Sequence, residues 1–400
     1  MLDLFGRKPT VERLARDILA AAAAMGEIGW RFEPGSTSLL KEGSEARIHL
    51  VNIFLEYSQA EKSRRHALVE KYATMLSMSG QQIPKLWTLA QKNVYAVIRS
   101  RHDNVALEIA NRGTGKTFPE RVSYPWHGDL VIRIVYDFGP SMAQIDTAVA
   151  NSWGVSRAEL LDTAKRNLRA LPKPEWRNIS SGVLQLVSSV SYEESMLLRD
   201  DVWDGRALAG EIVAIAPNRG VLLAADGNDP TALEALLTEA RMCLQQKPWP
   251  LDPVIVTRRD GDWLPYEPTG VAAISWQLHC KLSLASAYAE QQESLRQHVR
   301  EDVFVATFTL MNRKDQPERP VSYTVWTEGV LTSLPETDLL AFNKARGDGK
   351  FDTAFVKWAD AQRICGARMT AMPEHPPRWR VETFPSAEEW QALLAVQSET

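Results

Sequence analysis

Cysteine is scarce: Cys243, Cys280 and Cys365 stand far apart, so neither a disulfide framework nor a paired-cysteine metal knuckle can be built from their spacing. A reducing, cytoplasmic setting is the expectation. No apolar run reaches the ~20 residues of a membrane span, so no membrane-crossing helix is expected in these residues. Charge of one sign is missing too. The 46 basic and 50 acidic side chains leave a net charge of -4, which argues against nucleic acid or an acidic membrane surface as a partner. There is no GxSxG turn for a strained serine nucleophile and no HExxH pair for a zinc hydrolase. Repeats and biased tracts are absent as well.

What remains is an ordinary globular composition, 44% hydrophobic and 24% charged over 400 residues, enough for two or three domains with cores of their own. The opening "RLARDILAAAAAMGEIG" reads as a folded helix rather than an export signal. Val11, Leu14, Ile18, Ala22 and Met25 recur at helical spacing, Thr10 can cap the start and Gly26 can end it. "SLLKEGSEARIHLVNIFLEY" alternates around a glycine turn and predicts a two-stranded hairpin, followed by a helix over about residues 60–78. "NVYAVIRS" and "DLVIRIVYDFG" predict strands flanking a loop. Capping boxes Ser156/Glu159, Ser191/Glu194 and Ser386/Glu389 open three helices, the second running through "YEESMLLRDDVWD" to Gly205. "EIVAIAPNRGVLLAAD" predicts a hairpin, and Asp229-Pro230 starts a helix. Beyond a proline-rich seam at residues 262–270 come a helix ending near "LRQHV", the strands of "DVFVATFTL", "PVSYTVWTEGV" and "DLLAFN", a helix from Asp352 carrying Phe355, Trp358 and Ile364, and the strand "RWRVETF". Strands that follow one another without intervening helices predict an α+β fold with mixed, largely antiparallel sheets, divided as 1–98, 99–268 and 269–400.

One stretch resembles a named chemistry. "IANRGTGKTFPE" holds Ala110, four residues, then Gly115, Lys116 and Thr117, a relaxed phosphate-gripping consensus. Such a loop works because a strand delivers it to the start of a helix, whose free N–H groups face the phosphates. Pro119 and Pro125 restrict any helix after Thr117 to about two turns. The acidic residue for magnesium would be Asp137 or Asp226; Asp137 ends a strand that begins too soon after Thr117 for a crossover of about a dozen residues. The stretch therefore reads as a basic loop holding Arg112 and Lys116.

Other candidates are weaker. His279 and Cys280 are adjacent, so on a helix they diverge by about 100° and do not share an ion. Arg101, His102 and Asp103 follow a predicted strand, where site residues often occur, but read as a loop of mixed charge. Glu193 with Glu194, and Asp200 with Asp201, point to different sides of a helix. No catalytic residue, metal ligand or cofactor is assigned. Tryptophan is in excess, 13 in all, and Trp249, Trp263 and Trp379 sit in proline-rich connections where a ring with a polar N–H can anchor a partner or pack between domains.

The middle of the chain resembles the bacterial YtpQ-like family, whose function is unknown. The matching features are "YAVIRSR", "GDLVIRIVYDFGPSM", "LLDTAKRNLRAL", "SYEESMLLRDDVW", "IVAIAPNRGVLLAADGNDPTALEAL" and "RRDGDWLPYEP", over roughly residues 95–268, with a weaker match at 30–60. The resemblance implies no catalytic residue. It departs at Gly220, after Arg219, where members often carry an acidic residue. Arg219 is a further partner-contact candidate. The reading is of a cytoplasmic, non-catalytic binding or scaffold protein acting with a protein partner. The alternative is a nucleotide-dependent enzyme using Gly115, Lys116, Thr117 and Asp137. A third reading, local nucleic-acid binding through Arg99, Arg101, Arg112 and Lys116, runs against the overall charge.

Overall fold

A computed structural model describes residues 9–33, 37–44, 47–78, 80–115, 117–203, 210–299, 302–312 and 319–398. The architecture is α+β, with several mostly antiparallel sheets. Near the amino terminus, Thr10 caps the helix Val11–Ala24, which lays Leu14 and Ile18 over a three-stranded sheet and against Tyr72 and Leu76 of the helix Lys62–Ser77. The expected hairpin here is cut short. Its second strand is only Arg47–His49, and "VNIFLEYSQ" is the helix Val51–Gln59, because Ile53 and Tyr57, four residues apart, bury one face in the same core.

The middle of the chain holds two sheets around one core. In the first, Leu130–Asp137 pairs antiparallel with Val94–Ser100, Ser123–Pro125 and Met142–Gln144. In the second, six antiparallel strands run in spatial order Asp262–Pro265, Ile255–Arg259, Ile212–Asn218, Val221–Asp226, Val183–Val187 and Glu175–Ser180. Ala96, Ile98, Ile132 and Ile134 from the first share a hydrophobic cluster with Ala214, Ala216, Leu222 and Ala224 from the second. Side chains such as Ile98 and Ile134, fully buried, each contribute about 1.5–3 kcal/mol. The outer face of the six-stranded sheet is covered by the helix Pro230–Gln246, which Asp229 caps through the amides of Thr231 and Ala232. The strand Val94–Ser100 crosses residue 98, so the segment before it feeds directly into the first of these sheets.

Three local expectations change. The stretch before Thr114 is the helix Val105–Gly113, not a loop, because Val105 and Ile109 bury against Leu295 and Val305. "YEESMLLRDDVWD" forms two tight turns of 3-10 helix, Glu193–Leu198 and Asp200–Val202, with no cap from Ser191; Glu194 is drawn inward to Arg99 instead. Gly205, its expected stop, lies outside the described residues. Phe351–Lys357 is a strand paired with Leu339–Ala345, so Phe355 is in a sheet and the helix begins only at Trp358.

The helix Gly270–His298, 29 residues and about 44 Å long, connects the middle to the carboxyl-terminal part. Beyond it lie two four-stranded mixed sheets. Val321–Thr327 runs parallel to Leu339–Ala345 and antiparallel to Thr309–Met311, while Thr332–Pro335 pairs with Phe304–Val305 and Arg378–Val381. Trp326, Phe342 and Val356 fill the core between them and the helices Trp358–Cys365 and Ala387–Ala395, the latter opened by the full Ser386/Glu389 capping box. Among the described residues no helix is long and apolar enough to cross a membrane.

Candidate metal centre at the seam

The strand Val94–Ser100 ends in a single 3-10 turn, Arg101–Asn104, which carries His102 inward. Beside it, a tight turn closed by the Leu130 amide on the His127 carbonyl leads into the central strand. Gly128 adopts φ 53° there, and an added Cβ would press on Val254, so only glycine lets the chain turn this closely. The turn presents Asp129, whose carbonyl accepts from the Arg101 amide at 2.8 Å. Asp252 arrives from the connection before the strand Ile255–Arg259.

The last member comes from the carboxyl-terminal part. His375 lies on the loop between the strands Met369–Ala371 and Arg378–Val381. That loop is fastened to the long helix: Gln291 donates to the Pro376 carbonyl and Tyr288 to the Pro377 carbonyl, both at 2.8 Å. Glu374, buried, ion-pairs with Arg112 of the helix Val105–Gly113.

These elements bring four groups together. His375 Nε2 lies 2.9 Å from Asp129 Oδ1, and His102 Nε2 lies 3.8 Å from Asp129 Oδ2 and 3.2 Å from Asp252 Oδ1. The two imidazoles stack with centroids 4.6 Å apart and planes 10° from parallel. Burial favours the neutral form of His102, but the carboxylates of Asp252 and Asp129 outweigh it and raise its pKa. The hydrogen bond with His375 holds the Asp129 carboxyl below its ordinary range. Glu290, on the long helix, senses the same seam: burial and the charge of Asp103 raise its pKa.

Two chemistries can be weighed on this geometry. Ser100 Oγ bonds to Asp252, not to a histidine, so serine, carboxylate and imidazole stand in an order that gives the hydroxyl no imidazole base. Metal ligation fits better. One nitrogen from each histidine and one Asp129 oxygen all lie within 4.8 Å of one another. Tetrahedral ligands at zinc-like distances stand about 3.4 Å apart, so small side-chain adjustments suffice. The set of two imidazoles and a carboxylate suits first-row transition ions rather than calcium or magnesium.

The residues singled out in the sequence fall elsewhere. Gly115, at φ 73°, lies in the turn that ends the helix Val105–Gly113, Thr117 is exposed, and Lys116 lies outside the described residues. The helix thus precedes the consensus, and the chain after Thr117 runs without helix into the strand Ser123–Pro125. Asp137 accepts hydrogen bonds from Tyr192 and Gly139, and Asp226 from the Asn228 amide. Trp249 packs on the amino-terminal core, its amide bonded to Asn52. Trp263 donates to the Leu197 carbonyl and meets Trp203 edge-on; Trp379 packs on the carboxyl-terminal core. Arg219 reaches the seam itself, pairing with Asp103 at 2.6 Å next to His102. His279 lies beside Trp276, away from the cluster.

No family model matches the chain, and neither a curated protein nor a solved structure does.

Proposed function

We propose that this is a non-catalytic binding or scaffold protein whose middle and carboxyl-terminal parts are joined by a divalent transition-metal ion on His102, Asp129 and His375, and that it acts with a protein partner. The observation that carries the metal is the convergence of two Nε2 atoms, from separate parts of the fold, on one carboxylate. A binding role rather than catalysis is supported by the Ser100–Asp252 pairing and by the absence of a helix after Thr117, which withholds the donors a bound nucleotide requires. The YtpQ-like resemblance supports it in bringing no catalytic residue. Cys243, Cys280 and Cys365 are all free thiols, which favours a reducing, cytoplasmic location.

The test uses the full chain freed of metal by chelation. Cobalt(II) titration should give visible ligand-field bands saturating at one equivalent, and zinc should displace them. Asp129→Asn and His375→Ala should each weaken binding by at least about tenfold, in the range seen when metal-site partners are lost. His279→Ala serves as the control and should bind normally. Saturable binding that ignores both seam substitutions, or no binding at all, rejects the reading. Affinity purification from the native cell with and without chelator then tests the partner; recovery of the chain alone in both would remove that half of the proposal.

A further inference from the structure

A second site lies at the opposite end of the central strand, independent of the metal. Asp137 ends that strand and opens on a cleft of about 420 Å³, lined by Gln81, Asn93, Tyr95, Tyr136, Phe138 and Gly139. Strand alternation puts Tyr95 and Asp137 on one face: Tyr95 stands opposite Val135, two residues from Asp137. Tyr192 completes that face, its ring 5.2 Å from Tyr95 and its hydroxyl donating to Asp137 Oδ2 at 2.6 Å. Oδ1 accepts from the Gly139 amide at 2.6 Å.

Both donors are neutral. Among the described residues no lysine or arginine pairs with Asp137, and none lines the cleft. The basic group in this region, Arg99, is already committed to Glu194 at 2.5 Å. A carboxylate fixed by two neutral donors, beside aromatic rings and open to a cleft of small-molecule size, leaves one kind of partner unsupplied: a weakly hydrated cation. The larger cleft, beneath Lys281 and Asp338, has lining charges of both signs and points to no single ligand.

We propose that this cleft binds a small alkylammonium compound, with the cationic head against Tyr95 and the Asp137 carboxylate. Gln81 and Asn93 at the rim supply hydrogen bonds to a polar tail. Burial raises the Tyr95 pKa, and the nearby Asp137 charge acts in the same direction.

Calorimetry on the full chain, with choline as probe, tests this against the neutral carbon isostere in which a tert-butyl group replaces the ammonium. Choline should bind saturably and the isostere at least about tenfold more weakly, as expected when cation attraction contributes. Asp137→Asn and Tyr95→Leu should each lose at least about tenfold, with melting curves showing that both variants fold. Because Asp137 also holds the Gly139 turn, Phe138→Ala provides a milder test and should weaken choline about threefold. Equal binding of choline and its isostere, or choline binding unchanged in Asp137→Asn and Tyr95→Leu, overturns the proposal. So does no choline binding in the wild type. A trimethyl-lysine peptide that binds more tightly than choline would overturn the small-molecule assignment in favour of a protein ligand.

Discussion

His102 and His375 lie face to face, their imidazoles 4.6 Å apart, one carried by the turn after a middle-sheet strand and the other by a carboxyl-terminal loop. Stacked rings alone would hold these parts together weakly. A metal shared with Asp129 would make the contact strong and conditional. Zinc at a hundred times its dissociation constant should stabilise the native chain by about 2.7 kcal/mol, a gain that a tenfold weaker Asp129→Asn should cut to about 1.4 kcal/mol or less. Thermal unfolding with and without chelator measures it.

The Arg112–Glu374 pair makes a second link between the same parts. The Glu374 side chain is 1% exposed while that of Arg112 is 45% exposed. Removing the arginine strands a buried carboxylate, and Arg112→Ala should cost about 2 kcal/mol, below the usual value for a fully buried pair because solvent reaches the guanidinium. Adding Glu374→Gln should recover most of the loss. Urea denaturation of the single and double variants decides this.

Burial pushes the Glu193 pKa up to about 7, with the neighbouring Glu194 charge acting in the same direction. The folded state then binds a proton that the unfolded state releases near pH 4.5, so this group stabilises the fold at acid pH and its contribution is lost as pH rises towards 7. Glu193→Gln should flatten that decline, read from denaturation midpoints between pH 4.5 and 7.5 with the wild type alongside.

Trp263 tests whether the proline-flanked tryptophans serve the fold. Its indole donates to Leu197 at 2.8 Å and meets Trp203 edge-on at 4.7 Å. Trp263→Ala should therefore destabilise the isolated chain by about 3 kcal/mol. Unchanged stability in urea, with lost partner capture, would assign the ring to an external surface instead.

The α+β class and many element ends were legible in the sequence because they depend on short-range chemistry. Asp229 with Pro230, Ser386 with Glu389, and the Arg219-Gly220 turn act within a few residues. The misread segments are those where a distant core chose the conformation. Val105–Gly113 became a helix because Leu295 and Val305 cover its apolar side, and Glu194 left a helix pattern to meet Arg99. The seam was the least legible part. His102 was visible as a polar residue after a strand, but Asp129 and Asp252 reach it only through the folding of turns distant in sequence, and His375 only through the docking of the carboxyl-terminal loop on the long helix, so none of the three bears a local mark.

Gly113, inside the phosphate-like stretch, has a purpose unconnected with phosphate. A methyl group there would collide with the His298 carbonyl at the end of the long helix. Gly113→Ala should therefore force the two helices apart at a cost of about 1–3 kcal/mol, and weaken metal uptake although no ligand is touched. The glycine acts as a spacer of minimal thickness: it sets how near the rod carrying Tyr288 and Gln291 can come, and so whether His375 arrives within reach of Asp129.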